Sequence, residues 1–169
     1  MSFFDSLTNE RKLQAIEMRV AGFKEQLFGS MVAAGLDPDL VDMETFNPAT
    51  DISEENSGWR EQITRTLEAL EKIEEIRESV IAGASEIDIV ISRRHVLTQN
   101  WQVLYDEMAA FRSACGDAHV KAILATGELG SLRNVGSASL ICMMAGADFI
   151  KTSTGKESVN ATLPVTLVM

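Results

Sequence analysis

The sequence predicts an α/β protein with a parallel sheet of three strands, preceded by a helical segment. Short runs rich in β-branched residues stand near 86–91, 119–125 and 148–152. They recur at intervals of roughly thirty residues, the length of one β-α unit. Segments with apolar residues at helical spacing separate them, and strand–helix–strand alternation with short connections implies parallel strands joined by right-handed crossovers. No comparable run precedes residue 86.

Residues 8–35 carry Leu13, Ile16, Met18, Val20, Phe23, Leu27 and Met31 on a helical period, and Gly35 followed by Asp37-Pro38-Asp39 ends the pattern. Residues 36–58 are acidic and polar, contain Pro48 and Gly58, and read as loop. A second helix is expected over 59–82 from Ile63, Leu67, Leu70, Ile73, Ile76 and Val80, with Gly83 as its stop. The charged faces of both helices are expected to be solvated. The chain therefore divides into a helical N-terminal extension, 1–58, and an α/β part, 59–169.

Glu86-Ile-Asp-Ile-Val-Ile91 alternates and is β-branched, so it reads as the first strand. Trp101, Leu104, Tyr105, Met108 and Phe111 mark a helix over about 99–115, and His119 to Ala125 reads as the second strand. A helix over about 131–145 ends at Gly146, and 148–152 form the third strand. Strand alternation puts Asp88 with Glu86 and Val90, Lys121 with Ile123, and Lys151 with Phe149 and Ser153. The opposite, isoleucine-rich face packs on helices. Adjacent strands that each present a charge on one face suit the interior of a β/α barrel, here a partial one with three parallel strands. Such a sheet has open edges, which favour association into a homo-oligomer.

With 169 residues, 46% hydrophobic and 24% charged, the chain can bury a real core. A formal net charge of −10 argues against a general nucleic-acid binder or a binder of anionic membranes. No apolar run approaches the length of a membrane span, and the start Met-Ser-Phe-Phe-Asp-Ser lacks the pattern of a signal peptide. Cys115 and Cys142 read as free thiols, so a cytoplasmic protein is expected. His95 and His119 are too scattered to suggest a metal site. Glu128 is expected to cap the next helix or pair with a lysine, and Cys142 with Met143 and Met144 to lie in the core.

The chemistry gathers at Asp148 to Ala161. Lys151 ends an apolar run and is followed by Thr152, Ser153, Thr154, Gly155 and Lys156. A lysine with lowered basicity attacks carbonyls to form a Schiff base, and hydroxyls, backbone N–H groups and a cation suit a phosphate. The plain alternative is a strand-end lysine pointing to solvent.

Taken together, Glu86-Ile-Asp-Ile-Val-Ile91, Lys121-Ala-Ile-Leu-Ala-Thr-Gly-Glu-Leu129, Ala145-Gly-Ala-Asp-Phe-Ile-Lys-Thr-Ser-Thr-Gly-Lys156 and Val159-Asn-Ala-Thr162 resemble the deoxyribose-phosphate aldolases, class I aldolases of β/α-barrel fold, and in particular their animal-type branch. The resemblance runs from about Ile73 to the C-terminus. It implies a lyase that reversibly cleaves 2-deoxyribose 5-phosphate, a small phosphorylated sugar, to glyceraldehyde 3-phosphate and acetaldehyde, in deoxyribonucleotide and carbohydrate catabolism. It implies Lys151 as the Schiff-base nucleophile, Asp88 in the proton relay, Lys121 as a charged neighbour, and Gly155 and Lys156 on the substrate phosphate. No metal or organic cofactor is implied, since the imine is the electron sink.

The family's early strands have no counterpart in residues 1–72, and its later Gly-Phe-Lys-Pro-Ala-Gly-Gly segment, with a second active-site lysine, lies beyond the resemblance. The chain is expected to be a partial gene model, a splice form or a fragment. Lysines left in water titrate near about 10.4 and are mostly protonated at neutral pH, so weak aldolase activity is expected. The alternatives are an inactive paralogue or fragment acting as an interaction module through its N-terminal helices, and an isomerase or another lyase on the same barrel type.

Overall fold

A computed structural model describes residues 21–22 and 24–169; the first half of the expected N-terminal helix therefore lies outside the described residues. Its described part, α1 (24–33), ends just before Gly35, the predicted stop, which has φ +80°. The stretch 36–58 is more ordered than a loop. It holds α2 (Pro48–Asp51) and a 3-10 turn (Glu54–Asn56). Asn47 caps α2 by accepting from the Ala49 N–H, and Pro48 follows at the first helical position, where its missing N–H costs nothing.

The remaining elements are α3 (Ser57–Ile81), β1 (Glu86–Val90), α4 (Arg93–Leu97), α5 (Trp101–Ala114), β2 (His119–Ile123), a 3-10 turn (Thr126–Glu128), α6 (Leu132–Met144), β3 (Phe149–Lys151) and α7 (Leu163–Val168). The strands form one parallel sheet in the order β1-β2-β3, and no described residue before Glu86 is in a strand. Each strand is one or two residues shorter than the sequence predicts. Single bonds continue the pairing beyond them: Ile91 N–H donates to Ile123 O, and Leu124 N–H to Lys151 O.

Ile87, Ile89, Val120 and Ala122 face a core shared with Ile73 and Ile76 of α3, Leu104, Met108 and Phe111 of α5, and Val135 and Cys142 of α6. Helices α3, α5 and α6 pack side by side against this face. Glu86, Asp88, Val90 and Phe149 on the other face are exposed, and Lys121 and Lys151 are half-buried. The period of two in a strand thus sends every isoleucine of β1 inward and both its acids outward. A second, smaller cluster joins Leu27, Met31 and Ala34 to Ile52 and Ile63.

Buried polar groups fix the two ends of the sheet. At the amino end, Arg112 donates to Ala118 O (2.7 Å), Gly116 O (2.5 Å) and Asp148 Oδ2 (3.3 Å), and Asp148 Oδ2 also accepts from the Val120 N–H (2.8 Å). The start of β2 is thereby tied to the residue before β3. At the carboxyl end, Glu107 of α5 accepts from the Ser92 N–H and hydroxyl directly after β1.

Cys142 is in the core as expected, but Met143 and Met144 are 46% and 65% exposed. Consecutive helical residues are turned by about 100° from one another, so three in a row cannot share a buried face. Burial pushes the Cys115 thiol up to about 11 and the Cys142 thiol up to about 12. Both are expected to resist a thiol-specific disulfide reagent at pH 8 in the folded protein and to react fully in denaturant; fast reaction in the native state would show that the core opens readily. No described helix is long and apolar enough to cross a membrane.

Candidate active site

β3 ends on Lys151, whose carbonyl accepts from Leu124 and whose successor Thr152 accepts from the Thr126 N–H (2.8 Å). The chain after β2 reaches this position through Ala125, a buried non-glycine residue at φ +53°. That left-handed conformation costs a residue with a Cβ about 1 kcal/mol or more. The loops then close tightly: a Cβ on Gly127 would meet the Val159 carbonyl oxygen at 2.3 Å, so only glycine fits there.

On the open face, the Lys151 ammonium donates to Asp88 Oδ2 at 2.5 Å, with the side chains 40% and 46% exposed. The structure therefore brings together the lysine and the carboxylate that the sequence singled out, across the intervening strand. Lys121 stands apart from that pair. In the strand register it is the direct neighbour of Asp88, yet its ammonium donates to Glu86 Oε2 at 2.5 Å. The hydrogen bond to Glu86 raises the Lys121 pKa; burial lowers it, and the charges of Glu86 and Asp88 raise it further. The hydrogen-bond partner of Lys121 is thus Glu86, and Asp88 acts on it only through its charge.

The loop after β3 carries a feature that residue type alone did not suggest. Gly155 has φ +90°, and the N–H of Thr154 donates to both oxygens of Glu157 (3.2 and 3.0 Å) while its hydroxyl donates to Glu157 Oε2 (3.0 Å). Burial acts to raise the Glu157 carboxyl, but bonds from the N–H groups of Thr154, Glu157 and Gly155 and from the Thr154 hydroxyl outweigh it and lower its pKa. A folded-state value below the ordinary one means this bonding favours the fold above the normal glutamate range and is lost as pH falls through the lowered value. A carboxylate is therefore already seated in a concave set of N–H donors. Thr154-Gly-Lys-Glu157 has the spacing of a capping box, the signal by which the sequence could have revealed it. Lys156 itself is exposed.

Glu128 pairs with Arg93, not with a lysine, and α6 is capped by Ser131, whose hydroxyl accepts from the Asn134 N–H. An open groove of 1770 Å³ runs along the unpaired edge of β1 beside α3; Glu86 and Asp88 line it, but Lys121 and Lys151 do not. The lysines' setting is the sheet face, so that face is the candidate site.

The chain is similar to known proteins over more than half its length. The chain is 67% identical over 98 residues to deoxyribose-phosphate aldolase of Mus musculus and 66% identical over 98 residues to that of Homo sapiens; each match covers 58% of this chain and 31% of the relative. The chain thus spans about a third of the length of these relatives. The structure of QR15, an aldolase, superposes with a TM-score of 0.56 at 32% identity, covering 59% of this chain and 45% of that one. Its three parallel strands and their helices are accordingly part of a β/α barrel. The family model for DeoC/LacD family aldolases matches residues 48–169, most of the chain and all three strands, and the protein belongs to that family.

Proposed function

We propose that the site performs class I aldolase chemistry on 2-deoxyribose 5-phosphate, with Lys151 as nucleophile. The observation that carries the reading is the 2.5 Å contact between the Lys151 ammonium and Asp88 Oδ2, beside an anion-seating loop at the carboxyl end of the sheet. In this reading Asp88 takes a proton from the ammonium. The freed amine attacks the aldehyde carbon of the open-chain sugar. Asp88 returns the proton as the carbinolamine loses water, leaving an iminium. Loss of the proton from the C3 hydroxyl then breaks the C2–C3 bond. Its electron pair moves to the iminium, giving glyceraldehyde 3-phosphate and an enamine of acetaldehyde. Protonation at C2 and hydrolysis release acetaldehyde and the amine.

Gly155 and Lys156 hold the phosphate in this reading, and Glu157 occupies its place when no substrate is bound. Glu157→Ala is therefore expected to raise the affinity for inorganic phosphate about two- to fivefold, the worth of one exposed charge interaction, measured by 31P NMR titration. Unchanged affinity would remove the loop from the phosphate site.

The test of the function is borohydride trapping of the full chain with acetaldehyde or deoxyribose 5-phosphate, followed by intact mass and peptide mapping. A stoichiometric adduct on Lys151 supports the reading, and no adduct on the folded chain overturns it. One observation favours a second reading, a chain that binds a partner instead of a sugar: Leu140, Met143 and Met144 on α6 and Leu163 and Leu167 on α7 are all exposed. That reading takes over if no adduct forms.

A further inference from the structure

We propose that Glu86 is a positioning residue of this site: it holds the Lys121 ammonium off Asp88 and so reserves the Asp88 carboxylate for Lys151. The consequence for catalysis rests on the reading of Lys151 as nucleophile; the partition of charges does not.

The register makes the observed pairing an unexpected one. Asp88 and Lys121 are Cα partners on adjacent strands, so their side chains start about 5 Å apart on the same face. Lys151 is a Cα partner of Ile123, which in turn pairs with Val90. It stands two strands from Asp88 and two residues further along. Proximity alone would give Asp88 to Lys121. Instead Lys121 bonds Glu86 at 2.5 Å, and Asp88 receives Lys151 at 2.5 Å.

Two groups hold Lys121 toward the amino end of the sheet. Glu86 supplies the carboxylate, one alternation before Asp88. Phe149, the Cα partner of Lys121 on β3, supplies an aromatic ring 5.8 Å from the ammonium. Two acids and two lysines balance on this face. Without the Glu86 charge, two ammonium groups compete for one carboxylate, and the nearer, Lys121, takes it. Lys151 then loses the proton acceptor within hydrogen-bond reach that the proposed relay needs.

Trace acetylation with acetic anhydride at pH 8, read lysine by lysine from peptide masses, tests this without any aldehyde. An amine held against a carboxylate acetylates more slowly than one free in solvent. In Glu86→Gln, acetylation of Lys151 is expected to rise about two- to fivefold, the worth of one exposed pair, with Lys121 unchanged because it has moved to Asp88. Adding Lys121→Met to Glu86→Gln is expected to return Lys151 to its wild-type rate, a rescue that a merely structural role for Glu86 would not produce. Lys121→Met alone is expected to leave Lys151 unchanged. A gain at Lys121 with Lys151 unchanged in Glu86→Gln, or no rescue by Lys121→Met, overturns the proposal. Failure here leaves the borohydride adduct as it stands, and absence of an adduct leaves this partition of charges intact, so the two readings fail separately.

Discussion

Lys151→Met is expected to abolish the borohydride-trapped adduct and to lower any cleavage of deoxyribose 5-phosphate at least about a thousandfold, because no other group supplies the carbon–nitrogen bond on which the proposed route depends. Methionine keeps the unbranched length of the side chain and leaves the apolar contacts of β3 in place. The ion pair it removes is exposed, with Lys151 and Asp88 40% and 46% accessible, so the fold loses little. Asp88→Asn is expected to be milder, about a hundredfold, since the nucleophile remains and only proton transfer suffers. The measurement is intact mass after reduction, with peptide mapping. An adduct of undiminished yield in Lys151→Met, mapped to Lys121 or Lys156, would move the nucleophile to that residue.

Phe111→Ala is expected to cost about 3–5 kcal/mol, the range for emptying a fully buried aromatic site. Its ring is completely buried in α5, within the cluster that includes Ile87 and Ile89 of β1, and the Lys72 ammonium lies 5.8 Å from the ring centroid. Domains of this size are held by only about 5–15 kcal/mol in all. The thermal midpoint by circular dichroism is expected to fall by roughly 6–20 °C. Phe111→Leu, which leaves a smaller cavity, is expected to fall by clearly less. Equal midpoints for Phe111→Ala and wild type would show that this part of the core collapses around the lost ring. Since the isoleucine face of β1 backs the face that carries Asp88, trapping at Lys151 is expected to persist in Phe111→Ala well below its midpoint and to vanish on melting.

Much of this molecule is legible in local chemistry. Strict alternation in Glu86–Val90 assigns each side chain to a face whatever the strand packs against, so the exposed acids and buried isoleucines follow from β1 alone. Glycines at φ +98° (Gly83) and +99° (Gly146) close α3 and α6 because left-handed backbone is inexpensive only without a Cβ. The motifs around Asp88, Lys121 and Lys151 led to the family that the comparisons establish.

Other features depend on neighbours that are distant in sequence. That Asp88 meets Lys151 and not Lys121 is decided by register across strands and by a competing carboxylate at Glu86, and neither can be read from one strand. Glu128 meets Arg93 from the chain after β1, 35 residues away. Helical period excludes burying Cys142, Met143 and Met144 together, but which of the three is buried depends on the elements that lie beside α6. Local periodicity and backbone sterics thus determined the elements, their faces and the residues offered to the site. Which offered charge bonds which, and which apolar face finds cover, only the tertiary structure decided, because both are competitions among groups that folding alone brings within reach.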